Sequence, residues 1–381
     1  MDYLALNIGS SSKKYTLITE EGNEYHKAAA RRHEGCFWET RAGVREPMSD
    51  DEYREALIHF LDEVYGREGR SAEAARMRAA IRLVMPGTYY TQHRQVDDAF
   101  IERLQTDRVR DPVHADPLLA EIAVVTERLP ELQLYAVSDS AFHATMPPQA
   151  RRVALPEELC NEYDLARFGY HGLSLASIVQ QLKAHGVVPA RTVVCHLGSG
   201  VSVTALKEGV SVETSMGFAP HEGVPMSTRS GDVGAGVILE LARLAAVDDI
   251  SELLYTEGGI RALSGYTNDM EVIVRERTGK QEAAFAFDTF AYQLARAIAA
   301  QAAALGGIDL LVFSGGIGER SAAVRRAVCE RLGFLGIKMS EERNEFAEGE
   351  ARIEHPDSSA LIRIILPDEE AEMISYLREV Q

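Results

Sequence analysis

The stretch LALNIGSSSKKYTLI, residues 4–18, alternates apolar and polar residues, halts at Asn7-Ile8-Gly9-Ser10-Ser11-Ser12 and resumes toward Leu17. Alternation on both sides of a glycine- and serine-rich turn is the pattern of a β-hairpin. Its tip carries hydroxyls and a lysine pair. A polar surface turn accounts for that composition. So does a phosphate site, in which small residues let backbone N–H groups close on an anion. The figure returns half a chain later in RTVVCHLGSGVSVTAL, residues 191–206, as strand, Gly-Ser and strand. A second pair, LQLYAVSDSAFH (132–143) and IDLLVFSGGIGER (308–320), gives an apolar strand, a tight polar turn and a helix-like run. Continuous apolar strands that alternate with helices need a sheet covered on both faces. The two pairs together predict a duplicated α/β domain with a cleft between its halves.

The rest of the chain sets bounds on that expectation. Its 381 residues suffice for two cores. A formal net charge of −18 argues against a general nucleic-acid binder and against a binder of anionic membranes. Cys36, Cys160, Cys195 and Cys329 lie far apart with no CxxC, which reads as reduced thiols in a cytoplasmic protein without a zinc site. The N-terminus enters a strand with no basic leader or cleavage site. The most membrane-like stretch, 295–313, is interrupted by Arg296, Gln301, Gly306, Gly307 and Asp309, so it reads as a buried helix followed by a strand.

Helices are expected over 50–66, with Leu57, Phe60, Leu61 and Val64 on one face, and over 282–307, stopped by Gly306-Gly307. Two more are expected over 320–336 and 368–380, the last with acidic residues in its first turn, where they suit the helix dipole. The polar run 340–359 reads as a solvated excursion.

The chain has no Walker A sequence and no GxGxxG after a strand. It has three glycine turns that each follow a β-rich segment: Gly9-Ser10-Ser11-Ser12, Gly198-Ser199-Gly200 and Gly315-Gly316-Ile317-Gly318. Three such turns in a duplicated α/β frame fit the two phosphate hairpins and the nucleotide loop of the actin, Hsp70 and sugar-kinase superfamily. Longer matches then run from end to end: NIGSSSKKY, DPVHADP, SDSAFHATMP, RFGYHGLS, HLGSGVSVTA, ETSMGFAPHEGVPMSTRSGD, FSGGIGERS and LPDEEAEMI. On these segments the chain resembles the acetate kinases and related short-chain acyl kinases.

That resemblance implies two ribonuclease H-like domains with a catalytic cleft between them. Residues 1–143 with 371–381 would form the acyl kinase domain, and 144–370 the nucleotide-binding domain. It implies ATP as co-substrate, Mg²⁺ or Mn²⁺ as cofactor, small-molecule partners only, a cytoplasmic setting and a homodimer. Carried over residue by residue, Asn7 and Glu370 would organise the metal, while Ser10, Ser12 and Lys14 would meet the phosphates. Arg82 would hold the acyl carboxylate, with Asp139, His171 and Arg229 completing the catalytic set. His196, Gly198, Ser199 and Gly200 would contact phosphate. Asp269, Met270, Gly315, Gly316, Ile317, Gly318 and Glu319 would contact the rest of the nucleotide. Val84, Val113, Tyr170 and Pro220 would line the acyl pocket. Two guanidiniums suit a reaction between two anions, and His171 can donate to phosphoryl oxygens as charge redistributes. The acceptor carboxylate is already ionised, so Asp139 is expected to position rather than to deprotonate. Taken singly, the same residues have plainer readings: Arg82 a solvated charge, Asp139 a helix cap, His171 a structural histidine, Glu370 part of a solvated acidic turn.

The sequence departs from the family pattern around this set. R-V-V-H-G-G reads Arg82-Leu83-Val84-Met85-Pro86-Gly87, and H-L-G-N-G has Ser199 for asparagine. Y-G-F-H-G carries Tyr170, which could add a hydroxyl to the acyl pocket. The arginine of D-x-R has become Glu271, and the asparagine of G-E-N has become Arg320. Tyr170 and Val113 therefore leave open propionate or a hydroxylated short acid as acceptor. Glu271 and Arg320 leave open pyrophosphate or phosphate in place of ATP, although the intact nucleotide-loop glycines weigh for adenine. A non-catalytic nucleotide-binding regulator of the same fold would not need both Arg82 and Arg229.

Overall fold

The computed structural model describes residues 1–9, 12–32, 35–39, 45–67, 76–186 and 188–380. The chain divides into two units: Met1–Ala141 joined by the C-terminal segment from Asp368, and Phe142–Pro367.

Unit 1 is built on the strands β1 (Asp2–Ile8), β2 (Ser12–Ile18), β3 (Glu24–Arg32), β4 (Gly35–Glu39), β5 (Arg45–Met48), β6 (Met77–Leu83), β7 (Arg94–Gln95) and β8 (Gln133–Ser138). They form one sheet in the order β5-β4-β3-β2-β1-β6-β8-β7. The opening stretch is a hairpin, with Asn7 opposite Lys14 and Ile8 opposite Lys13. Strand alternation splits the lysine pair between the two faces of the sheet. Lys14 is exposed on the Asn7 face. Lys13 is buried, with Nζ 2.7 Å from Glu121 Oε2, and the Tyr15 hydroxyl donates to Glu121 Oε1 at 2.9 Å. Only a paired carboxylate is tolerable at such depth. The helix expected over 50–66 forms as Asp50–Arg54, started by a Ser49–Glu52 capping box, and Ala56–Arg67. The second buries Leu57, Phe60, Leu61 and Val64 in one core with Leu4, Leu6, Ile81, Leu118 and Ile122.

Unit 2 contains β9 (Arg191–Leu197), β10 (Val201–Lys207), β11 (Val210–Thr214), β12 (Leu310–Ser314), β13 (Ala351–Arg352) and β14 (Leu361–Ile364), in the order β11-β10-β9-β12-β14-β13. The two sheets share a plan. Each contains three antiparallel strands (β3-β2-β1 and β11-β10-β9) followed by two strands parallel to the third (β6-β8 and β12-β14), and unit 1 adds β5-β4 ahead of its set. The duplication expected from the two hairpins is therefore present. The second sequence pair does not correspond as expected, because β8 is fifth in this plan and β12 is fourth. Pairing decides that position, and buried parallel strands all read as similar apolar runs.

The 295–313 stretch is the end of the helix Gln281–Leu305, closed by Gly306 at φ 72°, followed by β12. No helix among the described residues is long and apolar enough to cross a membrane. The run 340–359 is largely exposed, as expected, but it is anchored rather than a free excursion. It contains the helix Glu341–Glu345, and Asn344 and Ile353 are buried. The reason is Arg325, itself buried in the helix Ala322–Arg331. Its Nε donates to Asn344 Oδ1 at 2.7 Å, one terminal nitrogen donates to the carbonyls of Gly318 and Glu319, both at 2.8 Å, and the other donates to the Asn344 carbonyl at 3.0 Å. Burial pushes the guanidinium down to about 10, and a charge so placed needs every acceptor it can reach.

Candidate active site

In unit 1 the parallel strands β1, β6 and β8 end side by side, with Leu6 opposite Ile81 and Leu83 opposite Ser138. Carboxyl ends of parallel strands are where α/β sheets place their ligands. Asn7, Arg82 and Asp139 all leave the sheet at that edge. The helix Glu369–Glu379, capped by the Asp368 side chain, brings Glu369 and Glu370 to the same place.

Arg82 is the centre of the cluster. Its Nε and one terminal nitrogen donate to Asp139 Oδ2 at 3.1 and 2.7 Å. The other terminal nitrogen donates to Asn7 Oδ1 at 3.2 Å and Glu369 Oε2 at 3.1 Å. Asn7 Nδ2 donates in turn to Glu369 Oε2 at 2.8 Å and Glu370 Oε1 at 2.7 Å. Burial works against the Arg82 charge, but Asp139 and then Glu369 outweigh it and hold the guanidinium above its usual value. A guanidinium has five N–H donors, and four are engaged among the described residues. Arg82 thus offers an incoming anion its charge and one N–H, not the free fork that a bidentate clamp would need. Beside it His93 Nδ1 accepts the Ser138 N–H at 3.0 Å. Burial lowers His93 below the usual imidazole value, with the Asp139 charge pulling the other way.

The hairpin turn is closed by the Gly9 N–H bonded to the Ser12 carbonyl at 2.8 Å. Ser10 lies outside the described residues. Val84 is buried and Val113 half-buried, the latter in the first turn of the helix Pro112–Arg128.

In unit 2 the second glycine turn is closed by the Gly198 N–H on the Gly200 carbonyl at 2.9 Å. His171, at φ 63° before the helix Gly172–Ala184, and His196, in β9, stack with ring centroids 4.2 Å apart. A Cβ on Gly200 would lie 3.0 Å from His171 Nε2 and 3.5 Å from an Arg229 guanidinium nitrogen, so glycine lets the imidazole approach the turn without being displaced. Arg229 also donates to the Pro220 carbonyl at 3.1 Å. Its loop packs on the turn, where the Ser227 N–H reaches the Ser199 carbonyl at 3.3 Å. Gly231, at φ 72°, lets that loop fold on itself, since a Cβ there would meet Pro225 N at 2.6 Å. The third turn opens the helix Gly315–Arg320, which holds Gly316, Ile317, Gly318 and Glu319. Gly315, at φ 73°, sits against the Leu197 carbonyl.

A model of the Acetokinase family matches residues 2–376. The chain belongs to the acetokinase family. It is 32% identical to an acetate kinase of Alkaliphilus metalliredigens over 389 residues, 97% of each chain. It is likewise 32% identical to an acetate kinase of Pseudothermotoga lettingae, over 97% of this chain and 95% of that one. Among solved structures it resembles the acetate kinase of Porphyromonas gingivalis (TM-score 0.83, 29% identity, 98% of both chains). It also resembles a propionate kinase of Francisella tularensis (TM-score 0.86, 28% identity, 98% and 97%). The chain is thus a phosphotransferase acting on a carboxyl group, and the fold read from its hairpins is that of the acetokinase family.

One feature of this acetokinase differs from the sequence reading. Tyr170 is buried and its hydroxyl donates to the Phe218 carbonyl, so the hydroxyl is used by the backbone rather than offered to a substrate. Tyr170→Phe is therefore expected to cost about 1–3 kcal/mol of stability through the unpaired carbonyl, measured by urea unfolding. The ratio of rates on propionate and acetate should stay unchanged. Asp269 caps the helix Met270–Glu276 by accepting the Glu271 N–H at 2.8 Å, and Met270 is buried.

The sequence reading missed Glu369, which sits in an acidic run where no single carboxylate stands out. It also missed His143, whose Nε2 bonds the Tyr170 carbonyl at 2.9 Å and whose Nδ1 meets Ser211 Oγ at 2.8 Å. Its place beside Phe142 in DSAFH was the available signal.

Proposed function

We propose that this acetokinase reversibly transfers the γ-phosphoryl group of ATP to acetate by direct in-line displacement, giving acetyl phosphate and ADP. The observation that carries this reading is the convergence of Asn7, Arg82, Asp139, Glu369 and Glu370 at one edge of unit 1. Arg82 draws in and orients the acetate carboxylate, and Asp139 fixes the guanidinium in place. The nucleophile is already an anion, so no group need remove a proton. His171 and Arg229 of unit 2 serve the phosphoryl oxygens, whose charge grows as the bond to ADP breaks. The first and second glycine turns serve the phosphates through their backbone N–H groups.

Among the described residues no three His, Cys, Asp or Glu side chains surround a common cation position. Magnesium, however, commonly takes one or two carboxylates and completes its shell with water and substrate phosphates. Glu369 and Glu370, gathered by one Asn7 amide, fit that demand. They would hold Mg²⁺ or Mn²⁺, which when bound neutralises phosphate charge. Glu370→Ala should raise the Mg²⁺ concentration for half-maximal rate by about tenfold, near 1.4 kcal/mol, with the KM for acetate little changed. An unchanged Mg²⁺ titration would return Glu370 to a solvated helical turn.

Propionate is the second acceptor reading, and the similarity to a propionate kinase favours it. A hydroxylamine trap for acyl phosphate, run over acetate, propionate and hydroxylated acids with ATP, GTP and pyrophosphate, tests acceptor and donor together. Acetate with ATP should give the highest rate, and a preference for pyrophosphate would overturn the donor assignment.

The assembly we propose is a homodimer. Val237, Leu239, Leu244 and Val247 stand exposed along 235–247 of unit 2, Leu244 at 77%. Apolar side chains so clustered suit a second copy of the chain. Sedimentation equilibrium should give twice the chain mass of 41.9 kDa, and Leu244→Glu should shift it toward that mass. The cysteines form no disulfide, which suits a reducing, cytoplasmic setting.

A further inference from the structure

We infer that Ser174 and Ser202 are positioning residues that hold His196 and His171 with the proton on Nε2, so that two neutral N–H donors face the Gly198–Gly200 turn. The inference rests on the phosphoryl-transfer reading of that turn and adds residues that reading does not use.

The two stacked imidazoles are interlocked. His171 and Ser174 come from the start of one helix, whereas His196 and Ser202 are cross-strand partners in β9 and β10. Each serine serves the histidine of the other element. Ser202 Oγ lies 2.9 Å from His171 Nδ1, and Ser174 Oγ lies 2.8 Å from His196 Nδ1. The opposite ring edges point at the glycine turn, where Cβ atoms on Gly200 and Gly198 would lie 3.0 and 3.7 Å from the two Nε2 atoms.

Both hydroxyls are fully buried. Among the described residues each has one hydrogen-bond partner, the imidazole nitrogen. If Nδ1 carried the proton, the hydroxyl would have to accept, and its own proton would be buried without an acceptor. Native structures avoid that arrangement. The serines therefore donate, Nδ1 accepts, and a neutral ring keeps its proton on Nε2. Two imidazolium rings 4.2 Å apart would repel, and the Arg229 guanidinium beside the same turn opposes added positive charge as well. The result is a pair of N–H donors fixed before the phosphoryl group arrives, which spares reorganisation during transfer.

Nitrogen-15 NMR of histidine-labelled enzyme tests this, with His171→Gln and His196→Gln assigning the signals. The wild type should show both rings as Nε2–H tautomers. Ser202→Ala should mix the tautomers of His171 and lower kcat about ten- to hundredfold, the range for loss of an orienting outer partner. The KM for ATP should stay within about threefold, since orientation rather than ground-state binding is lost. Ser202→Thr, which keeps the hydroxyl, should restore both signal and rate, and Ser174→Ala should do to His196 what Ser202→Ala does to His171. Nδ1–H tautomers in the wild type, or alanine variants with unchanged tautomers and kcat, would overturn the inference. A fully active His171→Gln would instead overturn the phosphoryl-transfer reading of the turn, while the wild-type spectrum still decides the tautomer.

Discussion

Arg82→Ala should lower kcat/KM for acetate by about a thousandfold, close to 4 kcal/mol of transition-state stabilisation. Arg82 is the cation between Asp139 and Glu369, and it also supplies the N–H donor left for a substrate anion. Its removal leaves Asp139, fully buried, without its positive partner. Breaking a buried pair in this way costs about 3–5 kcal/mol of stability. The variant should therefore be both inactive and less resistant to urea. Arg82→Lys separates the two effects. It keeps a charge near Asp139 but cannot reproduce the planar set of donors, so it should recover much of the stability and little of the rate. A variant with wild-type kcat/KM would remove Arg82 from the site.

Arg229→Ala should lower kcat by about a hundred- to a thousandfold while the affinity for ATP stays within about threefold. Besides the Arg229 bond to the Pro220 carbonyl, backbone bonds hold the loop that carries it. The Arg229 carbonyl accepts the Met226 N–H at 3.0 Å, the Ser230 N–H reaches the Leu254 carbonyl at 2.9 Å, and the Asp232 N–H reaches the Gly223 carbonyl at 2.8 Å. The main loss should thus be kinetic, with stability to urea lowered by no more than about 1–3 kcal/mol from the lost Pro220 bond. Isothermal titration with ATP and steady-state kinetics on one preparation would show the split. A matching fall in ATP affinity would make Arg229 a nucleotide-binding residue instead.

Much of the fold can be read from the sequence because it is written in local signals. Alternation at 4–18 and 191–206 gives both hairpins, and glycine placement gives both turns. The helix Gln281–Leu305 is bounded by residues that the sequence displays. The strand equivalence could not be read in the same way, since composition does not record which strand pairs with which. The site divides along the same line. Asn7, Arg82, Asp139, His171 and Arg229 lie in motifs long enough to be recognised. Glu369, Ser174, Ser202, His93 and Arg325 act through contacts made only when distant segments meet. Asn7 and Glu369 are 362 positions apart, and nothing near either one points to the other. Tyr170 shows the converse. Its motif position suggested a polar group for the substrate, and the fold gives that group to Phe218.

The most direct test of the account is phosphorus-31 NMR of the purified enzyme with carbon-13-labelled acetate, ATP and Mg²⁺. An acyl phosphate resonance coupled to the labelled carbonyl should grow in step with ADP. It should fail to appear when Mg²⁺ is chelated or when Arg82→Ala replaces the wild type. ADP accumulating with free phosphate and no acyl phosphate, or acyl phosphate formed at the same rate by Arg82→Ala, would contradict it.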